Sequence, residues 1–85
     1  MKKHVELVKK WLADPESVST KELLANEYAA WDAYFTADSD EAAHRAAKWA
    51  HSAAAIVSDS YVDKYKQLAW EWVEIYETEA RHAAN

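Results

Sequence analysis

Apolar residues recur at helical spacing from the start of the chain, and short polar breaks divide that pattern into segments. Val5, Val8, Trp11 and Leu12 form one apolar stripe and predict a helix over residues 2 to 13. Asp14-Pro15 ends it, because proline carries no amide hydrogen and disfavours helical backbone in the residue before it. Ser19, with Glu22 three positions on, has the spacing of a capping box and opens a second helix through Ala37. Along it Leu24, Tyr28, Trp31 and Phe35 step by four, three and four, so this stripe is expected to face the core. The ridge Ala25, Ala29, Ala33, Ala37 beside it lets another helix approach closely. Asp38 with Glu41 repeats the capping spacing and starts a third helix.

Two readings compete beyond that point. Ser58-Asp59-Ser60 has the composition of a break and a new cap, which gives a third helix over residues 39 to 57 and a fourth to about Ala83. Yet Ala43, Ala47, Ala50, Ala54, Val57, Tyr61, Tyr65, Leu68, Trp72 and Ile75 run through that break in steps of three and four. One kinked helix of roughly 45 residues, ~65 Å long, is the alternative. The preferred expectation is an all-α, single-domain bundle of four helices over residues 1–85, with three helices if the last two are fused. Its expected core is Val8, Trp11, Leu12, Leu24, Tyr28, Trp31, Phe35, Val57, Tyr65, Leu68, Trp72 and Ile75.

Trp70 and Trp72 stand two apart, so on a helix they point roughly 200° apart and cannot share one core. Trp72 lies on the long stripe; Trp70, Trp49 and Ile56 lie off it. These three are the candidate subunit contacts of a homo-oligomer, because a chain this short buries a modest fraction of its surface and has apolar area left over.

Composition removes whole classes of chemistry. Among 85 residues there is no glycine, no cysteine and one proline, against five tryptophans and eighteen alanines. Without glycine there is no phosphate-cradling loop or dinucleotide fingerprint. Without cysteine there is neither disulfide nor thiolate chemistry, in keeping with a reducing cytoplasm. The Met1-Lys2-Lys3 start lacks an apolar stretch to follow it, and no run approaches membrane-spanning length, so a cytoplasmic protein is expected. A formal charge of −5 argues against general nucleic-acid binding.

That charge is uneven. Residues 1 to 10 hold four lysines against Glu6, and residues 71 to 79 hold Glu71, Glu74, Glu77 and Glu79 with no base. Residues 42 to 58 contain no acid at all and carry His44, Arg45, Lys48 and His51. With Trp49 and Ser52 these form the candidate ligand site, combining cationic donors for phosphate with an indole that stacks on a base. Solubility of an alanine-rich helix is the plainer account of the same charges. Two Glu-x-x-His pairs, Glu41/His44 and Glu79/His82, have the spacing of di-iron carboxylate bundles. Glu41 is better explained as a cap residue, and His82 stands near a helix end, so no metal or cofactor is expected. His51-Ser52 puts its two side chains in different helical directions, and no catalytic residues are assigned.

The stretch Val8-Lys9-Lys10-Trp11-Leu12-Ala13-Asp14 followed by Ser17-Val18-Ser19, together with the alanine and aromatic pattern of residues 25 to 57, resembles small accessory proteins of tailed bacteriophages. The resemblance implies a host-directed, anti-defence role in the bacterial cytoplasm through stoichiometric binding, without catalysis. Two forms of it are expected. One is a homo-oligomeric sponge for a phosphate-bearing nucleotide immune signal held by His44, Arg45, Lys48, Trp49, His51 and Ser52. The other is direct inhibition of a host defence or metabolic protein, with the acidic last helix and Trp70 as the docking face.

Overall fold

The computed structural model describes residues 2–37, 41–55 and 59–84. Four α-helices account for nearly all of them: α1 (Lys2–Ala13), α2 (Thr20–Ala37), α3 (Glu41–Ala55) and α4 (Asp59–Ala84). Together they make a small all-α bundle. A single 3-10 turn, Pro15–Ser17, separates α1 from α2.

The junction of α1 and α2 shows how local sequence writes this turn. The amide of Asp14 still donates to the Lys10 carbonyl at 3.0 Å, completing α1. The Asp14 side chain then accepts from the amide of Glu16 at 3.2 Å, capping the turn, and Pro15 occupies the position where no amide donor is needed. Val18 is extended and buried, pinning the connection to the core. At Ser19 the expected capping box is present: the Glu22 amide donates to Ser19 Oγ at 3.1 Å, and the Ser19 amide donates to Glu22 Oε1 at 3.2 Å.

Helix α3 is the centre of the molecule, packing on α1, α2 and α4, whereas α2 and α4 do not pack on each other. A central helix must be slim. Ala42, Ala43, Ala46, Ala47, Ala50 and Ala53 are all buried, so α3 presents small side chains to its neighbours. The large core residues come from outside it: Val5, Val8 and Trp11 of α1, Val18, Leu23 of α2 and Val73 of α4. The antiparallel packing of α3 on α4 decides between the two sequence readings. A fused helix of ~65 Å does not fit a molecule whose longest extent is 40 Å. Residues 56 to 58, including Ile56 and Val57, lie outside the described residues.

The expected core is corrected at four positions. Tyr28, Trp31 and Phe35 are exposed, at 61, 44 and 68% of their surface, and Ile75 is exposed on α4. Helix α2 is rotated so that Leu23, Asn26 and Ala30 face inward. Both faces have helical spacing, but three large aromatic rings do not fit between helices that approach over an alanine surface. Val8 and Trp11 are buried as expected, while Leu12, Leu24, Tyr65, Leu68 and Trp72 are half-buried.

Candidate functional site

The acid-free stretch lies on α3, and the central position of that helix explains it. Its flanks meet acids supplied by other turns and other helices. Arg45 donates from Nε to Glu41 Oε1 at 2.8 Å and from Nη2 to the same oxygen at 2.7 Å, while its guanidinium lies 5.2 Å from the centre of the Trp72 ring. His51 Nδ1 is 2.8 Å from Glu27 Oε2 on α2, with both side chains largely buried. Trp49 packs on Tyr65 of α4, ring centres 5.2 Å apart, and Lys48 lies at 5.5 Å from the Trp49 ring, its side chain exposed.

His44 faces α2 instead. Its imidazole lies 5.4 Å from the Trp31 ring and stacks on Tyr34 at 5.6 Å. Burial among these rings holds its pKa below the ordinary 6.5; Glu27 pulls the other way, and Arg45 and Lys48 add to the depression. Ser52 is half-buried. The six candidate ligand residues therefore part company: His44 and His51 turn to α2, Arg45 and Trp49 turn to α4, and Lys48 turns to solvent. Two of the candidate phosphate donors, Arg45 and His51, already have carboxylate partners within the chain.

Trp49, expected at a subunit contact, is half-buried inside the protomer and packed on Tyr65. Trp70 is exposed at 45%, and Ile56 lies outside the described residues. Of the Glu-x-x-His pairs, Glu41 is engaged by Arg45 and His44 by the aromatic rings, while Glu79 and His82 are exposed on the last turns of α4.

Three features went unread in the sequence. His4 and Asn26 form a buried polar link between α1 and α2: His4 Nδ1 donates to Asn26 Oδ1 at 2.9 Å, and Asn26 Nδ2 donates back to the His4 carbonyl at 3.1 Å. Their signal is a polar residue on an otherwise apolar face, Asn26 between Leu23 and Ala30. Lys9 Nζ donates to Glu77 Oε2 at 3.1 Å, tying the basic first helix to the acidic last one. That hydrogen bond, with the charges of Glu77 and Glu6, raises the lysine pKa.

The third is the aromatic face of α2, which joins the acidic α4 face expected from the sequence to give two uncovered faces of different character. On α2, Tyr28, Trp31 and Phe35 stand outward, with the Trp31 and Phe35 ring centres 5.8 Å apart. On α4, Trp70 and Ile75 stand at the two edges of the outward arc, with the exposed acids Glu71 and Glu74 between them and Glu79 beyond. A cleft of about 560 Å³ between the start of α1 and the end of α4 mixes Lys2 and Arg81 with Glu6, Glu74 and Glu77. No helix among the described residues is long and apolar enough to cross a membrane.

What fold and surface define is a small all-α helical bundle with two uncovered apolar-bearing faces. Comparison with protein-family models, with curated proteins and with solved structures found no match.

Proposed function

We propose that this chain is a non-enzymatic binding protein that sequesters a partner protein by stoichiometric docking, the outward face of α4 being the recognition surface. The observation that carries this reading is the composition of that face. From Gln67 to Glu79 the helix carries no cation, and with Glu77 turned to Lys9 of α1 the outward acids are Glu71, Glu74 and Glu79, Trp70 and Ile75, both exposed, flanking the strip of Glu71 and Glu74. Large side chains anchor an interface, while a charged rim selects the partner and speeds encounter. The partner chemistry that fits is a basic surface with apolar recesses spaced across one helix width. The resemblance to phage accessory proteins supports a host defence protein as that partner, met in the bacterial cytoplasm.

The test is capture of partners by tagged wild type and by the Glu71→Lys/Glu74→Lys and Trp70→Ala variants, followed by calorimetry with the captured protein. The expected result is one saturable partner at 1:1 stoichiometry per protomer. Charge reversal should abolish capture, and Trp70→Ala should weaken it about thirtyfold if the indole is a hot spot worth ~2 kcal/mol. Retention of the same partner by all three proteins would overturn the assignment.

Nucleotide capture by His44, Arg45, Lys48, Trp49, His51 and Ser52 is the other form of sequestration. It requires Arg45 to leave Glu41 and Trp72, and His51 to leave Glu27, before a phosphate can take their place. Titration with cyclic dinucleotides and ADP-ribose-derived signals separates the two. Binding by wild type that is lost in Arg45→Ala would favour the nucleotide reading.

A further inference from the structure

The aromatic face of α2 has a spacing that a solitary helix does not need. Lys21, Leu24, Tyr28, Trp31 and Phe35 follow one another by three, four, three and four residues, the repeat of a helix–helix seam. Among the described residues α2 packs on α1 and α3, and apart from His44 against one side of Trp31 this aromatic face is open. We infer that the occupant is a second copy of this chain, and that two α2 helices pack antiparallel across a two-fold axis near Tyr28.

Charge and shape on the face select this occupant and this direction. With Tyr28 as the reference direction, Leu24 and Trp31 lie about 40 to 60° to one side and Lys21 and Asp32 about 20 to 40° to the other. Antiparallel pairing about Tyr28 keeps each side facing its own kind. Leu24 of one copy then meets Trp31 of the second, and Lys21 of one copy comes within about 4.5 Å of rise of Asp32 of the second. Parallel pairing crosses the sides, so that the Lys21 and Asp32 side of one copy faces the Leu24 and Trp31 side of the second. Lys21 and Asp32 are both exposed, and neither has an ion pair within the chain among the described residues, so both are free for this contact. Ala25 and Ala29, exposed on the flank of the seam, let the second helix come close.

The area suffices. The exposed fractions of Tyr28, Trp31 and Phe35, applied to roughly 200 Å² per aromatic side chain, leave about 350 Å² of aromatic surface per copy. Full coverage of these three residues in a symmetric pair removes up to about 700 Å², and Leu24, Ala25, Ala29 and the stems of Lys21 carry the total towards the ~1,000 Å² of a stable interface. Trp31 and Phe35 are already held by contact with each other, Trp31 also by His44 and Phe35 also by Tyr34, which lowers the entropy lost on pairing. Because α2 and α4 do not pack together, the acidic α4 faces stay open in the dimer. Two docking faces on one particle raise avidity for a partner that is itself repeated.

The test is the mass of the full chain in solution, read by sedimentation equilibrium from about 1 to 200 μM. Wild type should reach twice its protomer mass of 9.7 kDa, and Trp31→Ala/Phe35→Ala should remain at 9.7 kDa with an unchanged helical circular dichroism spectrum. Lys21→Asp should raise the dissociation constant at least about tenfold, and the swap Lys21→Asp/Asp32→Lys should return it to within about threefold of wild type. A wild-type protein that stays at 9.7 kDa throughout gives this face to a different partner and overturns the inference. So does a dimer that survives the aromatic substitutions, or a swap that fails to restore what Lys21→Asp removed. None of these readings depends on the α4 assignment, which can fail separately.

Discussion

Leu23 and Phe35 lie on different faces of α2, and truncating each in turn tests the rotation of that helix on which the proposed seam depends. Leu23 is fully buried among α1 and α3 side chains, while Phe35 exposes 68% of its surface. Leu23→Ala removes buried carbon and leaves a cavity in a core made largely of alanine and valine, at a cost of about 2.5 to 5 kcal/mol. For Phe35→Ala, about a third of a ~200 Å² side chain is withdrawn from water, and at ~25 cal/mol/Å² the loss is about 1.6 kcal/mol. A domain of this length has a total stability on the order of 4 to 13 kcal/mol, so the two variants are well separated. Urea unfolding followed by circular dichroism gives both values. It should be run at the lowest workable concentration, where pairing between copies adds nothing to the apparent stability. If Phe35→Ala costs as much as Leu23→Ala, α2 carries its aromatic stripe inward and the reasoning for an open seam fails.

Three further outcomes follow from the same geometry. A double-mutant cycle on His4→Ala and Asn26→Ala should give a coupling of about 1 to 3 kcal/mol, since either single change strands a buried polar group; a coupling near zero by urea unfolding would refute the link. Ser19→Ala should cost about 1 kcal/mol, through loss of the side-chain half of the α2 capping box, read as a shift of the urea midpoint without change of slope. His44 should titrate below 6.5 by NMR, because burial disfavours its charged form. Unfolded chains then bind more protons than folded ones as pH falls below 6.5, so the stability His44 contributes is full above that pH and is lost on acidification towards its folded pKa. His44→Phe should flatten this limb, and an unchanged limb would refute the assignment.

The helices themselves were legible in the chain. At the described junction of α1 and α2 each stop and start rests on neighbours in sequence: Asp14-Pro15 ends α1 by removing a donor, and Ser19 with Glu22 opens α2 by satisfying one, while the expected cap Asp38 lies outside the described residues. Such signals act over one turn and do not depend on what packs where. The acid-free stretch of α3 was legible too, but as a pattern without a cause. Its meaning came from the central place of α3, where Glu27 of α2 and Trp72 of α4 converge on side chains that sequence alone left free for phosphate.

What the tertiary structure decided is the rotation of α2. Leu24, Tyr28, Trp31 and Phe35 on one side, and Leu23, Asn26 and Ala30 on the other, both satisfy helical periodicity, so spacing cannot choose between them. Hydrophobicity favours the aromatic side. Volume overrules it, because α3 offers an alanine surface that admits close approach by small residues, and His4 supplies the partner that lets Asn26 be buried. Long-range packing thus turned the chain's strongest apolar stripe outward.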